Sequence, residues 1–543
     1  MGAVAPLMLF APLAGRSKAA PPTDLVVVQA PRVGFGKLAQ RFPEGSRLVR
    51  LAPGGKSPLN LTPNFFASAD PRVSFDGARL LMAAQETARA PWQIWEMNVD
   101  GSGLRQVTHC PEDCLKPAYL PRGEIVFTVV PADAASQLWV SKLDGSEAHP
   151  ITFGPGDFQV ETVLKNGTIL ATARSPLVAG EKGNPPQQED RQLYTLRPDG
   201  SGLAAFRCDH QPAAIRSGAE ELEDGSVVFL KSPAGGAGPP GELAWIRRGA
   251  LHNASLATFG PPILSAEPLS DEKLLVVREV PGKPKNKSAD PVILSPFACH
   301  SERSEESAGC SLRVNFAKDL QFRSQAKMQI LRSAQNDSNG AQRDGIRSLH
   351  EAKVAGSKDR RDFALYIFDL AGAKFAGPIY REPGLSVVAA RPVAAHEPPR
   401  WYWSTLNPAL QRGYFICLDS YLAEDAGKGR LPVELAKVRV LSLGSPRPGP
   451  RSASAATERP LGEAPVEKDG SFYIAVPPDQ PVRFELLDVA GRVVRAQRSW
   501  IWARSGEEHG CVGCHEDRAR APENRWPMAL RRFDTPTRLD VVK

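Results

Sequence analysis

Five consecutive residues near the end of the chain form a pattern that can do redox chemistry, Cys511-Val512-Gly513-Cys514-His515. Two cysteines three positions apart, followed directly by a histidine, are typical of the attachment of a c-type haem. Cys511 and Cys514 would form thioethers to the two vinyl groups, and His515 would be the proximal ligand of the iron. The pattern therefore predicts one covalent haem c, and with it a periplasmic or otherwise exported protein.

Two other interpretations of this motif stay open. It is also half of a zinc site, although no second cysteine or histidine pair follows it. A pattern this short also occurs by chance. Its surroundings favour haem, because flanking glycines leave room for the backbone and three tryptophans are expected to wall the macrocycle (Trp500, Trp502 and Trp526).

Three residues are candidates for the ligand on the opposite side of the iron, His509, His396 and Met528. His509 lies two residues before Cys511, which is an awkward position for reaching the opposite haem face. A histidine or methionine in this position suits electron transfer, whereas an open position suits binding or catalysis.

A second cysteine pair, Cys110 and Cys114, is not followed by a histidine and so is not another haem motif. In an oxidising compartment it predicts a local disulfide, with metal binding together with His109 as the alternative. Cys417 fits a buried small apolar position within a strand.

The first 395 residues are repetitive, and the repeat predicts the fold. A strand, an Asp-Gly turn and a second strand recur over 94–108, 138–152 and 193–202, with weaker copies at 48–62, 243–258 and 365–379. Inner-strand phrases alternate with them, beginning near Asp70, Lys116, Phe158, Pro212, Ile263 and Leu385. Their spacing is that of a four-stranded blade, which predicts a six-bladed β-propeller over 23–395 with one blade completed by both ends.

The remaining segments are assigned by composition. Residues 1–22 carry a short apolar run without a basic start, which fits a weak signal or a disordered terminus. Residues 283–360 are predicted to be a disordered insertion within the propeller.

Residues 283–361 hold 15 basic and 9 acidic residues, so +6 of the net charge of +7 lies there. The rest is nearly neutral, which argues against nucleic-acid binding, and no apolar run is long enough for a transmembrane helix.

The last part of the chain changes character. Residues 396–498 predict a small β domain resembling a sandwich, and 499–543 a short haem-binding segment. The fold class is therefore mainly β, a six-bladed propeller followed by a β domain. The sequence contains no P-loop, nucleophile elbow, HExxH motif or dinucleotide fingerprint.

With these motifs in view, the chain resembles the hydrazine synthase alpha subunit and its relatives with TolB/WD40-like repeats. The resemblance covers most of the chain outside 283–360 and is most specific in DPRVSFDG, KPAYLPRGEIVFT and GEEHGCVGCHE. It implies that Cys511 and Cys514 are the thioether residues and that His515 is the motif histidine. In that family a tyrosine four residues after the histidine is expected to bind the catalytic haem iron. Here Ala519 takes that place, and a second haem motif is absent, which argues against hydrazine synthesis itself.

Two functions follow as hypotheses. The first is an exported haem c protein acting in electron transfer or an unidentified redox reaction, with a redox protein as partner. Its propeller would dock that partner or form a substrate channel. The second is a propeller-based binding scaffold in which the motif is structural or vestigial, since propellers host both roles. Whether the protein is an enzyme is left open by the sequence.

Overall fold

The computed structural model describes residues 23–34, 38–53, 57–174, 190–206, 214–234, 238–246, 257–270, 272–280, 362–423, 429–443, 458–497, 499–513 and 525–540. Segments 1–22 and 283–360 lie outside the described residues, so the predictions for both remain predictions. The regular secondary structure of the described residues is almost entirely β-strand, which confirms the mainly β fold class. Its helices are short 3-10 turns at Leu38–Gln40, Pro121–Gly123 and Met528–Arg531.

Three separate antiparallel sheets contain four strands each. In pairing order, the first contains β23 (Ser386–Pro392), β1 (Leu25–Ala30), β2 (Arg47–Leu51) and β3 (Leu59–Asn60). The second contains β4 (Ala67–Val73), β5 (Arg79–Gln85), β6 (Gln93–Asn98) and β7 (Arg105–Gln106). The third contains β11 (His149–Pro150), β10 (Gln137–Lys142), β9 (Glu124–Val130) and β8 (Asp113–Leu120). The pairing of β1 with β23 joins both ends of this region in one sheet, as the sequence predicts.

A larger sheet joins the next strands. It contains β12 (Gln159–Val163), β13 (Ile169–Arg174), β14 (Arg191–Leu196), β15 (Ala204–Ala205), β16 (Ala214–Glu221), β17 (Val227–Pro233), β18 (Gly241–Ile246), β19 (Ala257–Ser270), β20 (Lys273–Glu279), β21 (Phe363–Asp369) and β22 (Lys374–Tyr380). Strand β19 belongs to two groups of four, because its first part pairs with β18 and its second part with β20.

Asp-Gly-Ser turns close the predicted hairpins. Between β6 and β7, the Asp100 carboxylate accepts hydrogen bonds from the backbone N–H and the hydroxyl of Ser102, at 2.9 and 2.7 Å. Gly101 between them has a φ of 91°, which a residue with a side chain rarely adopts. The same bonds recur in two further hairpins (Asp144 with Ser146, and Asp199 with Ser201). The weaker copies are also hairpins, β2–β3, β18–β19 and β21–β22.

The first strand of each group packs beside the first strand of the next. The contacts run from β4 to β8, β12, β16, β19 and β23, and β23 contacts β4 again, so these strands form a closed ring. Propeller blades meet around an axis in this way. The count of six blades stays a prediction.

The C-terminal region packs two four-stranded sheets on a common core. One has the order β30 (Glu508–Cys511), β24 (Gly413–Cys417), β27 (Phe472–Val476) and β31 (Thr537–Arg538). The other has the order β26 (Glu458–Pro465), β25 (Leu435–Leu443), β28 (Val482–Asp488) and β29 (Val493–Ala496). Phe415, Val440, Ile474 and Leu486 are among the buried residues between them. Because β30 and β31 complete the first sheet, the boundary predicted at 498/499 falls inside one two-sheet domain.

A linker connects the ring to this domain along the turns of the ring. The backbone N–H of His396 donates to the carbonyl of Phe75 at 2.9 Å, and that of Arg400 donates to Lys165 at 2.9 Å. The Ser404 hydroxyl donates to Asp199 at 2.6 Å. These bonds tie the linker to two groups of strands, β4–β7 and β12–β15.

Candidate functional site: the end of strand β30 and the adjoining cleft

The first half of the cysteine-histidine motif lies at the end of an edge strand. Cys511 is the last residue of β30, which runs parallel to β24. Beyond it, the Cys511 and Val512 carbonyls accept hydrogen bonds from the N–H groups of Leu418 and Asp419, at 2.9 and 3.1 Å. The structure therefore fixes the backbone up to Gly513. The second half of the motif, Cys514 and His515, lies outside the described residues.

Alternation along β30 sends its side chains to two different faces. His509 and Cys511 share the core face with their register partners Phe415 and Cys417. The imidazole of His509 packs against Phe415 with ring centroids 5.4 Å apart, and its Nδ1 atom lies 3.8 Å from Glu507 Oε1. His509 is thus held between the domain core and a carboxylate.

On the other face, Glu508 lies beside Tyr414 and Tyr473. Burial, together with the negative charge of Glu508, raises the pKa of Tyr473 to about 12. The Tyr473 hydroxyl therefore stays protonated at neutral pH and can donate a hydrogen bond to the Glu508 carboxylate.

A cleft of about 420 Å³ opens along the outer edge of β30. Its walls come from three separate parts of the chain, the strand itself (Gly506 to Gly510), the linker (Thr405 and Leu406) and a ring hairpin (Arg197, Ser201 and Gly202). This volume is within the usual range of cofactor and ligand pockets, roughly 300–1,000 Å³. The strand and the ring hairpin are 305 residues apart in the chain at Gly202 and Glu507, so only the folded ring brings them together.

The described residues around the cleft fit a haem attached at Cys511. A Cβ atom placed on Gly510 would meet no other atom within 4 Å, so the backbone beside Cys511 is open to a large planar group. Arg197 supplies a cation that can pair with a haem propionate. His509 supplies an imidazole on the cleft wall, which is the chemistry of an axial ligand. Of the three candidates for the second axial position, it is the one that lines this cleft.

The other two candidates lie in different surroundings. His396 is exposed and packs edge-on against Phe75 of the ring, 5.5 Å away. The Met528 N–H donates to the Asp469 carboxylate at 2.9 Å, which fixes the short helical turn that follows the motif. Neither observation places these two residues in the cleft.

Glu507 fastens the strand β30 to the ring. Its carboxylate accepts one hydrogen bond from the N–H of Gly202 at 2.8 Å and another from the N–H of Arg504 at 2.7 Å. Because Gly202 belongs to a ring hairpin, this carboxylate sets the distance between two walls of the cleft.

The tryptophans do not have the role expected from the sequence. Trp502 is 1% exposed, meets Phe153 and Phe158 edge-on at 5.7 and 5.5 Å, and donates from Nε1 to the carbonyl of Gly200 at 3.2 Å. It therefore anchors the chain in the ring core and cannot wall a haem. Trp500 is buried beneath Arg483, and Trp526 is 63% exposed.

Asp419 holds both chain segments that flank residues 514–524. Its backbone N–H donates to Val512 before that segment, and its carboxylate pairs with Arg525 after it, at 3.3 Å. Arg430 also bonds the same carboxylate, at 2.8 Å, and the side chain is 5% exposed. Because this carboxylate is buried and paired with two arginines, Asp419 holds the backbone in place on both sides of the motif.

The predicted disulfide partners, Cys110 and Cys114, lie close together on the ring. Their sulfur atoms share a hydrogen bond, which lowers the pKa of the Cys110 thiol and raises that of Cys114. Gln93 holds the loop by accepting from the Cys110 N–H and donating to its carbonyl, at 3.0 and 2.8 Å. This closeness supports a disulfide, which stays a prediction. Within the described part of the chain, no group of three or more His, Cys, Asp or Glu side chains could hold a metal.

A second cluster of charged residues fills the centre of the ring. Each first strand contributes one side chain, and these are Arg72, Lys116, Glu161, Glu220, Glu267 and Arg391. Arg72 Nη1 lies 2.8 Å from Glu220 Oε1 although β4 and β16 are opposite each other in the ring. This pair therefore crosses the axis of the ring.

The charges in this cluster do not balance. Asp70 also reaches it by accepting from the Lys116 N–H at 3.1 Å, so that four carboxylates face three cations. Burial raises the pKa of Glu267 to about 8, with the nearby Glu220 adding to the effect of burial. Burial also opposes ionisation of Glu220, but the charges of Arg391 and Arg72 outweigh it and keep its pKa below the ordinary value. We therefore expect Glu267 to be the carboxyl of this cluster that binds a proton most readily.

Comparisons with known proteins agree with this architecture. The family model described as the hydrazine synthase alpha subunit middle domain matches residues 425–516, which cover most of the two-sheet domain and the motif. The hydrazine synthase subunit alpha of Kuenenia stuttgartiensis is 23% identical, and the match covers 94% of this chain and 68% of that protein.

One solved structure shows the same fold. Kuenenia stuttgartiensis hydrazine synthase matches with a TM-score of 0.71 at 19% identity, over 94% of this chain and 72% of that one. TolB from Acinetobacter baumannii matches 47% of this chain and 57% of that chain at 12% identity, with a TM-score of 0.34, too low for any argument. The chain is a mainly β protein with the architecture of the hydrazine synthase alpha subunit. It is a distant relative of that subunit.

Three functional positions were not visible in the sequence. Arg197, Glu507 and Asp419 are ordinary charged residues without a motif around them, and only their contacts reveal their roles. Glu507 had one signal, since it lies just before the motif in the phrase GEEHGCVGCHE, but Asp419 and Arg197 had none.

Proposed function

We propose that this chain is an exported c-type haem protein, with one haem attached to Cys511 and Cys514 and ligated by His515. The observation that carries the proposal is the position of the motif, whose first cysteine ends an edge strand beside a polar cleft. A bound haem would supply a centre that exchanges single electrons.

The residues around the cleft have separate tasks in this proposal. Arg197 would pair with a propionate, and His509 would offer its imidazole to the iron. Glu507 accepts from the Gly202 N–H and keeps the two walls together. Asp419 fixes the backbone on both sides of the motif. Together they hold the haem group in one orientation at the junction between the ring and the two-sheet domain.

The proposed role is electron transfer with a redox protein as partner, or a haem-dependent redox reaction. Hydrazine synthesis is not proposed, because Ala519 replaces the tyrosine expected in that family. No helix within the described ranges is long and apolar enough to cross a membrane.

The test is expression in a host whose periplasm carries the cytochrome c maturation machinery. Denaturing electrophoresis followed by a haem stain should show haem that stays on the chain. The matched control is the double variant Cys511→Ala, Cys514→Ala, which should show none. Wild-type protein without stain beyond this control would refute the proposal.

A binding scaffold is the second candidate, and one surface favours it. Arg122 lies between the rings of Trp401 and Trp403, 4.8 and 4.2 Å from their centroids, and Trp403 is 73% exposed. Exposed aromatic rings stacked on arginine are common at protein contacts. If the chain carries no haem, this surface becomes the better guide to its function.

A further inference from the structure

The linker that follows the ring crosses one end of it and carries exposed aromatic side chains. It contacts the turns that follow the first and third strands of their groups, at Lys165 and Asp199, and in an antiparallel group these turns lie at the same end. Tyr402 and Trp403 are both exposed in this linker. Two exposed aromatic side chains in succession are typical of a protein contact, where such residues are enriched.

The aromatic side chains of the linker alternate between two neighbouring groups of strands. Trp401 and Trp403 face the turn between β8 and β9, where the guanidinium carbon of Arg122 lies over their rings, 4.8 and 4.2 Å from the centroids. Tyr402 faces the group β12–β15, where Arg197 lies over its ring at 5.9 Å. These contacts are attractive because the face of an aromatic ring is negative. The rings therefore hold both guanidinium groups at the surface.

Arg122 and Arg400 are exposed cations that can still bind a carboxylate. Aromatic rings occupy only the faces of the Arg122 guanidinium, whereas its five N–H donors point outward in its plane. Within the described ranges, neither arginine side chain donates a hydrogen bond or pairs with a carboxylate. The nearby Asp199 carboxylate is engaged, since it accepts from the hydroxyls of Ser201 and Ser404. A planar fork of unused donors suits two-pronged pairing with a carboxylate from outside the chain.

We call the surface formed by these side chains the linker face (Arg122, Arg400, Trp401, Tyr402 and Trp403). We propose that the linker face docks an acidic electron-carrier protein. A carboxylate of that partner binds the outward edge of the Arg122 guanidinium, and apolar atoms of the partner cover the Trp403 ring. Charge complementarity argues for an acidic partner, because the two arginines present positive charge that no described carboxylate neutralises.

The linker face is continuous with the cleft beside β30. Thr405 lines that cleft and lies two residues after Trp403, and two residues span at most about 7 Å. A docked carrier would therefore lie beside the cleft, and this part rests on the proposed function. In each transfer one electron leaves one redox centre and enters the other, and no bond or proton changes place.

The docking step is tested without haem, on the full chain exported in a host that lacks the cytochrome c maturation machinery. The probes are a small acidic [2Fe–2S] ferredoxin and a basic cytochrome c, each titrated by calorimetry at low and at physiological ionic strength. We expect the ferredoxin to bind at low salt and more weakly as salt screens the charges, and the cytochrome not to bind. No binding of the ferredoxin, or equal binding of both probes, would overturn the proposal.

Variants locate the surface that binds. Trp403→Ala should weaken ferredoxin binding about tenfold or more, since tryptophans at the centre of an interface commonly contribute this much. Arg122→Gln should weaken binding and reduce its dependence on salt. The matched control is Arg89→Gln, since Arg89 is an exposed arginine in the turn between β5 and β6, which lies at the other end of the ring. Wild-type binding by the folded Trp403 and Arg122 variants, or an equal loss in the control, would refute the linker face as the docking site.

Electron transfer is measured separately on the chain that carries haem. Reduced ferredoxin is mixed with the oxidised protein in a stopped-flow instrument, and Trp403→Ala should lower the second-order rate constant about tenfold, as it lowers the affinity. If the ferredoxin binds the linker face but the chain carries no haem, the docking site stands and the proposed haem function fails. If haem is attached but the ferredoxin does not bind, the docking site alone fails.

Discussion

Glu267 at the centre of the ring should make the stability of this protein depend on pH in an unusual direction. Its pKa rises from 4.5 to about 8 on folding, because the side chain is buried and lies near Glu220. A carboxyl whose pKa is raised in the folded state binds a proton more tightly there than in the unfolded chain. Its contribution to stability is therefore complete below about pH 4.5 and is lost as the pH rises to about 8.

The size of this effect follows from the pKa change. A tenfold change in proton affinity corresponds to about 1.36 kcal/mol, so a rise from 4.5 to about 8 corresponds to about 5 kcal/mol as an upper limit. Glu267→Gln removes the titrating group but keeps its shape. We expect this variant to unfold with nearly the wild-type free energy at about pH 5 and to be more stable than wild type by several kcal/mol at about pH 9.

Urea unfolding followed by far-ultraviolet circular dichroism measures both values, provided that the slopes with denaturant are equal. Glu220→Gln is the matched control from the same cluster. Because Arg72 and Arg391 keep Glu220 ionised, its replacement leaves two buried guanidinium groups short of a partner. It should destabilise the protein by about 3–5 kcal/mol at either pH. Equal losses in the free energy of unfolding for the two variants would refute the assignment of the proton to Glu267. So would a change in this free energy on Glu267→Gln that is the same at both pH values.

Four further substitutions test contacts in the ring and in the two-sheet domain. Trp502→Ala should destabilise the protein by about 3–5 kcal/mol and expose the chain near Trp502 to limited proteolysis; wild-type resistance would contradict the anchoring role. Asp419→Asn should lower the covalent haem per chain on a haem-stained gel, relative to total protein, because the fixed point beside the motif is weakened; an unchanged ratio would argue against it. Gly510→Ala should leave the unfolding midpoint unchanged, since its Cβ meets only open space, whereas Gly470→Ala should lower it, since its Cβ would lie 2.4 Å from an oxygen of Asp419. Equal midpoints for the two glycine variants would show that this difference in packing is not real.

Local sequence patterns predicted a large part of the fold. The phrase Asp-Gly-Ser places a short carboxylate, a residue free to adopt positive φ and a hydroxyl donor in succession, and these three close a hairpin by themselves. The three hairpins that carry this phrase are present in the structure, and so are the three weaker copies that lack it. The pairing of the N-terminal strand with β23 was also predictable, because the first hairpin lacked an inner strand and the last inner strand lacked a hairpin.

The predictions that depended on contacts between distant parts of the chain were weaker. Trp502 was expected beside the haem because it is near the motif in sequence, yet it packs into the ring about 350 residues away from it in the chain. The boundary at 498/499 failed for the same reason, since β30 and β31 find their partners in β24 and β27. Proximity in sequence does not determine which surface a side chain will bury.

The sequence by itself determined the hairpins, the mainly β class and the presence of a motif suited to covalent haem. Those features depend on residues within a few positions of one another. Only the tertiary structure decided that Arg72 meets Glu220 across the ring axis, that Arg197 and His509 line one cleft, and that Cys417 lies opposite Cys511. Each of these pairs depends on the closure of the ring or on strand order in a sheet, and both are set by packing of the whole chain.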